Sequence, residues 1–324
     1  VELLQKNYDV VIVDDLSNSS ADVLDAIEKI TGIRPEFEQF DLCESEKVKD
    51  FFTRHNDIKA VIHFAAKKAV GESVENPLLY YRNNLFSFVN LLESMLEKGV
   101  KNIVFSSSCT VYGEPDYLPV DEHAPIKKAE SPYGNTKQIC EEMLEETIAA
   151  NFEKLEGIAL RYFNPTGAHE SALIGELPIG IPNNLIPYIT QTGIGQRDKL
   201  RIFGNDYETA DGYCVRDFIH VVDLAKAHII ALERMLNLKT QSPYEVFNLG
   251  TGIGYSVLDV IKTFEKVTGV KLNYEVVERR DGDIMQMYAD TNLANHELGW
   301  KAERGLEQML ETAWKWELAL AKNK

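Results

Sequence analysis

Short apolar runs rich in Val, Ile and Phe alternate with longer amphipathic stretches along this chain. The series begins YDVVIVDD, ADVLDAIEKITG, FEQFDL, SEKVKDFFTRHN and KAVIHFAA. It continues through PLLYYRNNLFSFVNLLESMLEKG, KNIVFSSS, PYGNTKQICEEMLEETIAANF and LEGIALRYFNP. Strands separated by helical segments of this length need parallel crossovers, and near-continuous apolar strands imply a sheet covered on both faces. The expected class is α/β with a doubly wound parallel sheet, its ligands lying beyond the carboxyl ends of the strands.

After residue 163 the texture changes to Gly- and Pro-rich connections, as in NPTGAHESALIGELPIGIPNNLIP. This predicts a cofactor lobe over 1–163 and a smaller α/β substrate lobe over 164–324. Later elements such as LRIFG, VVDLAKAHIIALERML, YEVFNLGTG, VLDVIKTFEKVTG and KLNYEVVERR still alternate, so some segments are expected to return to the first sheet.

Composition narrows the classes. A chain of 324 residues with 44% hydrophobic positions can bury a sizeable core. Its net charge of -17, with no Lys/Arg-rich run, argues against nucleic acid as a partner. Cys43, Cys109, Cys140 and Cys214 form no CxxC spacing, which suits buried thiols in a reducing cytoplasm; no metal site is expected. No apolar run approaches the roughly 18 residues of a membrane span, and no signal peptide is visible.

Candidate chemistry centres on SPYGNTK, residues 131–137. Ser131 suits an N-cap and Pro132 the first helical position, so Tyr133 is expected in the first turn with Lys137 one turn on. Chance alone supplies about one Tyr-x-x-x-Lys in such a chain, so the spacing is weak by itself. Ser106, Ser107 and Ser108 follow the apolar run NIVF and so stand at the carboxyl end of a strand, where they can meet the Tyr133 helix. A nearby ammonium favours a phenolate, so Lys137 is expected to bring Tyr133 towards the pKa of a working general base.

Asp14 and Asp15 end the run VVIV, where acids accept hydrogen bonds from an adenosine ribose and repel a 2'-phosphate, favouring NAD over NADP. The bland alternative is an Asx-turn before LSNSS. Asp41 ends the next strand similarly. No glycine-rich phosphate turn precedes Asp14, and LGTGIGYS, residues 249–256, reads instead as a close-packed turn near the substrate. VELLQKN looks like the tail of a helix that such a turn would open. The expectation is that the first strand and its turn precede Val1, and that NAD is bound poorly without them.

The blocks FAAKKAVGESVENP, FSSSCTVYGEP, SPYGNTK, LRYFNPTGAH, GIPNNLIPYI, IFGNDYETADGYCVRDFIHVVDLA, VFNLGTGIGYSV and RRDGDIMQMYAD together resemble the extended short-chain dehydrogenases/reductases, from the first residues to about Trp300. The resemblance implies a Rossmann-like domain and a reversible interconversion of UDP-galactose and UDP-glucose through a 4-keto sugar and bound NAD. It assigns Tyr133 as the base, Ser108 as its hydrogen-bonding bridge and Lys137 as the group holding the nicotinamide ribose. It carries cofactor contacts onto Asp14, Asp15, Asn18, Asp41, Leu42, Phe64, Ala65, Lys68, Asn83, Ser106 and Phe163. Substrate contacts carry onto Asn164, Asn184, Leu185, Arg201, Ile202, Phe203, Arg216, Arg280 and Asp283, with Met287 at a position governing acceptance of N-acetylated sugars. A homodimer through the helices around 83–98 and 132–150 is also implied. The competing readings are a UDP-N-acetylhexosamine 4-epimerase, a sugar-nucleotide 4,6-dehydratase and an inactive NAD-linked binding protein. Against the dehydratase, Ser108 is followed by Cys109 and Thr110 rather than by an acidic pair.

Overall fold

The computed structural model describes residues 1–280 and 283–322. The first half runs α1 (Glu2–Gln5), β1 (Val11–Asp14), α2 (Asp22–Thr31), β2 (Glu36–Gln39), α3 (Ser45–Arg54), β3 (Ala60–His63), α4 (Val70–Glu75) and α5 (Pro77–Lys98). It continues with β4 (Asn102–Ser108), α6 (Pro132–Ala150) and β5 (Glu156–Tyr162). The second half comprises β6 (Asn164–Thr166), α7 (Leu185–Gly193), β7 (Leu200–Phe203), β8 (Val215–His220), α8 (Val221–Leu236) and β9 (Tyr244–Leu249). It closes with β10 (Gly254–Ser256), α9 (Val257–Thr268), β11 (Tyr274–Val277), β12 (Gln286–Met287) and α10 (Leu306–Lys322). Short α4 is the element that the apolar pattern does not separate from its loop.

The central sheet has the order β3-β4-β5-β9 and is parallel throughout. Its inner strands explain the near-continuous apolar runs. Ile103 and Phe105 face one core with Phe88, Leu91, Met95, Leu144 and Ile148 of α5 and α6, whereas Val104 faces a second with Leu224, Ala231 and Leu232 of α8. Successive strand residues point to opposite faces, so a strand covered twice must be apolar twice. Burying each such aliphatic side chain contributes about 1.5–3 kcal/mol. Strand β9 comes from the second half of the chain, yet pairs with β5 from Gly157↔Tyr244 to Tyr162↔Leu249.

Strands β1 and β2 form a separate parallel pair, and no ladder joins β1 to β3 among the described residues. Val11, Ile12 and Val13 are accordingly only half-buried, in contrast to the closed interior of β5.

A third core gathers α7, α9, α10, β7 and Phe218 of β8 around Ile189, Ile202, Phe264, Met309 and Leu310. Beside it β8 pairs with β6, β10 and β12. The turn at LGTGIGYS is close-packed, as its glycines predict. A Cβ on Gly250 would stand 2.3 Å from Asp217 Oδ2, and the Thr251 and Gly252 amides donate to that carboxylate.

Candidate active site

The carboxyl ends of β4 and β5 and the first turns of α6 converge. Pro132 opens α6, and the Ser131 hydroxyl accepts the Gly134 amide at 3.1 Å, an N-cap that stabilises a helix by about 1 kcal/mol. That cap sets Tyr133 in the first turn, 9% exposed, with Lys137 directly behind it. Lys137 Nζ donates to the Ser106 carbonyl at 2.5 Å and lies 4.9 Å from the Phe105 ring centroid. Ser108 ends β4, caps the following 3-10 turn through the Thr110 amide, and offers its hydroxyl to Tyr133. The Ser106 hydroxyl bonds Tyr162 Oη of β5.

Burial governs the titration here. It pushes Tyr133 well above its ordinary value, with neighbouring Tyr162 adding and the Ser108 hydroxyl opposing. It pulls Lys137 down to about 8, against the favourable field of Glu141. The expected depression of Tyr133 by Lys137 is thus not a property of the protein groups alone. Lys137 aims its ammonium at a backbone carbonyl, and desolvation outweighs every charge near the phenol.

The residues carried to the cofactor side fall along the carboxyl edge of the parallel strands. Asp14 accepts from the Leu16 amide at 2.7 Å and the Ser19 hydroxyl at 2.8 Å, and Asp15 from the Ser17 amide at 2.9 Å. Both therefore build the Asx-turn that was the plainer alternative, while Asn18 lies exposed in the same turn. Asp41 likewise holds the Cys43 amide, and Leu42 packs on the first core while its carbonyl accepts from Asn90. Phe64, just past β3, is 56% exposed with its ring 4.6 Å from that of His228, and Ala65 follows it. Asn83 bonds Asn84, which in turn clamps Lys67 and Thr136. Lys68 is exposed, 3.9 Å from Glu176. This edge suits a dinucleotide at its two ribose ends, with carboxylates at one and the Tyr133–Lys137 pair at the other.

Phe163 follows β5 and packs with Cys109, Met287 and Ala289 in a small apolar cluster. Asn164 opens β6, and Asn184 stands just before α7 with its side-chain amide turned to donate to Glu176 at 2.6 Å, with Leu185 next. Arg201 and Phe203 are exposed on β7, but Ile202 between them is buried in the third core, so only its backbone is available to a ligand. Arg216 donates to the Val215 carbonyl and stands opposite Met287 in the β8–β12 ladder; it has no carboxylate partner among the described residues. Arg280 pairs with Asp283 at 2.7 Å and covers the Phe203 ring.

Reasoning from sequence passed over Glu141 and Arg161, which form with Ser107 a buried hydrogen-bonded set beneath Tyr133 and Lys137. The available signal was Arg161 itself, a charge interrupting the apolar strand IALRY.

The chain is similar to known proteins over nearly its full length. A family model described as GDP-mannose 4,6 dehydratase matches residues 1–313. The UDP-glucose 4-epimerase of Bacillus subtilis is 51% identical over 317 residues, covering 98% of this chain and 92% of that protein. The human UDP-glucose 4-epimerase is 49% identical over 323 residues, covering 98% and 91%. Among solved structures, that of the UDP-glucose 4-epimerase from Stenotrophomonas maltophila with bound NAD and formylated UDP-arabinopyranose superposes with a TM-score of 0.95 at 46% identity, covering 100% of this chain and 94% of that one. With such identity across nearly every residue, and with serine, tyrosine and lysine meeting at one sheet edge, the chain belongs to the UDP-glucose 4-epimerase family of extended short-chain dehydrogenases/reductases.

Proposed function

We propose that this protein interconverts UDP-galactose and UDP-glucose by reversible epimerisation at C4. The convergence of Ser108, Tyr133 and Lys137 at the carboxyl edge of the sheet carries the reading. NAD would supply the redox chemistry that side chains lack, as a reversible acceptor for the C4 hydride. Asp14, Asp15, Asn18, Asp41, Leu42, Phe64, Ala65, Lys68, Asn83, Ser106, Lys137 and Phe163 are the residues that would hold it.

Tyr133 Oη takes the proton of the 4-hydroxyl, Ser108 bridges that hydroxyl and the phenol, and the sugar becomes a 4-ketone. The phenol meets this demand only with positive charge beside it, because burial alone holds its proton on. Arg216 and Arg280 grip the diphosphate through their guanidinium forks. Asn164, Asn184, Leu185, Arg201, Ile202, Phe203 and Asp283 fix the rest of the nucleotide sugar, so that the ketone can turn its other face while still tethered. Tyr133 then returns its proton to the new alkoxide. Buried Met287 and Cys109 form an apolar wall at this side, and the flexible methionine leaves room to test N-acetylated sugars.

The dehydratase alternative lacks an acid beside Ser108, where Cys109 and Thr110 stand. We assign the cofactor to a lobe over 1–163 and the sugar nucleotide to 164–324, with α8 and β9 returning to the first sheet. We also assign a cytoplasmic homodimer. A groove of about 320 Å³ between α5 and α6, lined by Val89, Leu92, Leu96 and Met143, supports pairing there. Among the described residues no helix is long and apolar enough to cross a membrane.

The reading is tested by supplying the protein with NAD and UDP-galactose and measuring UDP-glucose by a coupled assay. Sustained conversion without net consumption of NAD is expected, and an inactive NAD-containing protein would remove the assignment.

A further inference from the structure

Beneath the catalytic edge lies a row of polar side chains that the chemistry above does not use. Ser107, Arg161 and Asn248 are register partners across β4, β5 and β9, so they sit side by side on one face of the sheet. All three are buried, as are Tyr112 and Glu141 around them. Arg161 Nε donates to Glu141 Oε1 at 2.9 Å and Nη2 to Oε2 at 2.5 Å, a two-point grip, and the Ser107 hydroxyl donates to the same carboxylate. Arg161 Nη1 donates to Tyr112 Oη at 3.1 Å, and Tyr112 donates to Asn248 Oδ1 at 2.7 Å. Asn248 completes the row through the Val120 carbonyl and the Glu122 carboxylate.

The row is tied to the reacting groups at two points. Glu141 stands four residues after Lys137 and eight after Tyr133, one and two turns along the buried face of α6. Ser107 stands between Ser106, whose carbonyl takes the Lys137 ammonium, and Ser108, which faces Tyr133. Elsewhere α6 meets the sheet through apolar groups including Ile103, Phe105, Leu144 and Ile148, which specify position along a helix axis only loosely, while Gln138 donates to the Val111 and Lys127 carbonyls outside the sheet. A one-residue slip of α6 would carry the Glu141 carboxylate about 1.5 Å along the axis and turn it away from Arg161.

We propose that Glu141, Arg161 and Ser107 are positioning residues, a buried lock that fixes the axial register of α6 against β4 and thereby sets Tyr133 and Lys137 on Ser108. The proposal rests on the epimerase reading above. A buried ion pair is weak evidence for stability, since a well-packed apolar pair of similar volume often does as well. Directional grip is what such a replacement lacks. Glu141 adds a second contribution through its field, which favours the charged form of Lys137.

The deciding variant is the double replacement Glu141→Met with Arg161→Met in the full chain with NAD, which removes both charges while keeping volume. Melting temperature and KM should stay close to those of the unaltered protein, whereas kcat should fall by about 100-fold, the order expected for a misplacement near 1 Å. A folded double variant whose kcat is unchanged would show the lock to be structural only. Should that variant fail to fold, Ser107→Ala and Tyr112→Phe each remove one hydroxyl, and a several-fold loss of kcat at constant KM is expected; no loss from either overturns the proposal. Inactivity of the unaltered protein would defeat the epimerase reading instead. The lock is then judged in Ser107→Ala and Tyr112→Phe, which remove no charge, by the titration of the Lys137 ammonium, set by burial at about 8 and read by NMR against Lys137→Met. A midpoint displaced in the lock variants supports it, and an unmoved midpoint refutes it.

Discussion

The proposed catalytic corner and the arginine segment are built on opposite terms. At the corner, Tyr133, Lys137, Glu141 and Arg161 are all buried, and every charge is answered by a neighbour fixed on a strand or helix. In the arginine segment, Arg201 and Arg280 are largely exposed, on an edge strand and in a connecting loop, and Arg280 is held by a single carboxylate on Asp283. Groups that move protons need positions held within a fraction of an ångström, which a packed interior provides. Groups that capture a diphosphate need reach and charge, and they keep both by staying in water until the ligand arrives. One side spends burial on geometry; the other keeps solvent on its ligands' behalf.

The contrast breaks most sharply at Tyr133. Tyr133→Phe should lower kcat by roughly 10²–10⁴-fold while sparing NAD binding, as loss of a positioned acid–base group does. Steady-state turnover alongside NAD titration checks both halves. Next comes Arg161→Ala, which leaves Glu141 buried without its partner and should destabilise the fold by about 3–5 kcal/mol in denaturant unfolding. The same truncation at Arg216 should hardly move stability but raise KM for the UDP-sugar about tenfold, since its charge-assisted hydrogen bonds are made with the ligand. A large loss of stability at Arg216, or none at Arg161, would erase the distinction between the two sides.

The smallest effect concerns pH. Lys137 titrates in the folded chain at about 8 against an ordinary 10.5, because burial disfavours its charge. Between those values the unfolded chain keeps a proton that the folded chain has released, so this group's contribution makes stability rise with pH across that window. Subtracting the melting profile of Lys137→Met from that of the unaltered protein should isolate the rise. A flat difference would place Lys137 in a wetter setting than its contact with Ser106 implies.

Much of the frame was legible from the order of residues. Alternating apolar strands and amphipathic helices announced a parallel sheet, and Ser131 with Pro132 announced where α6 begins, because caps and periodicity are local physics. Asp14 and Asp15 could be read in two ways, and their turn-building bonds show that a strand-end acid shapes its loop whatever else it does. Ile202 was singled out beside Arg201 and Phe203, yet the strand's two-residue period sends it into the core.

What the sequence by itself determined was the inventory and its local placement: a tyrosine and lysine one turn apart, serines at a strand end, acids after VVIV and arginines far downstream. Tertiary structure decided which of these meet. It brought β9 back beside β5, aligned Ser107, Arg161 and Asn248 in one row, and set Glu141 upon it, joining residues up to 141 positions apart. Register between strands and the pairing of a buried charge depend on what lies across space, and no window along the chain contains that information.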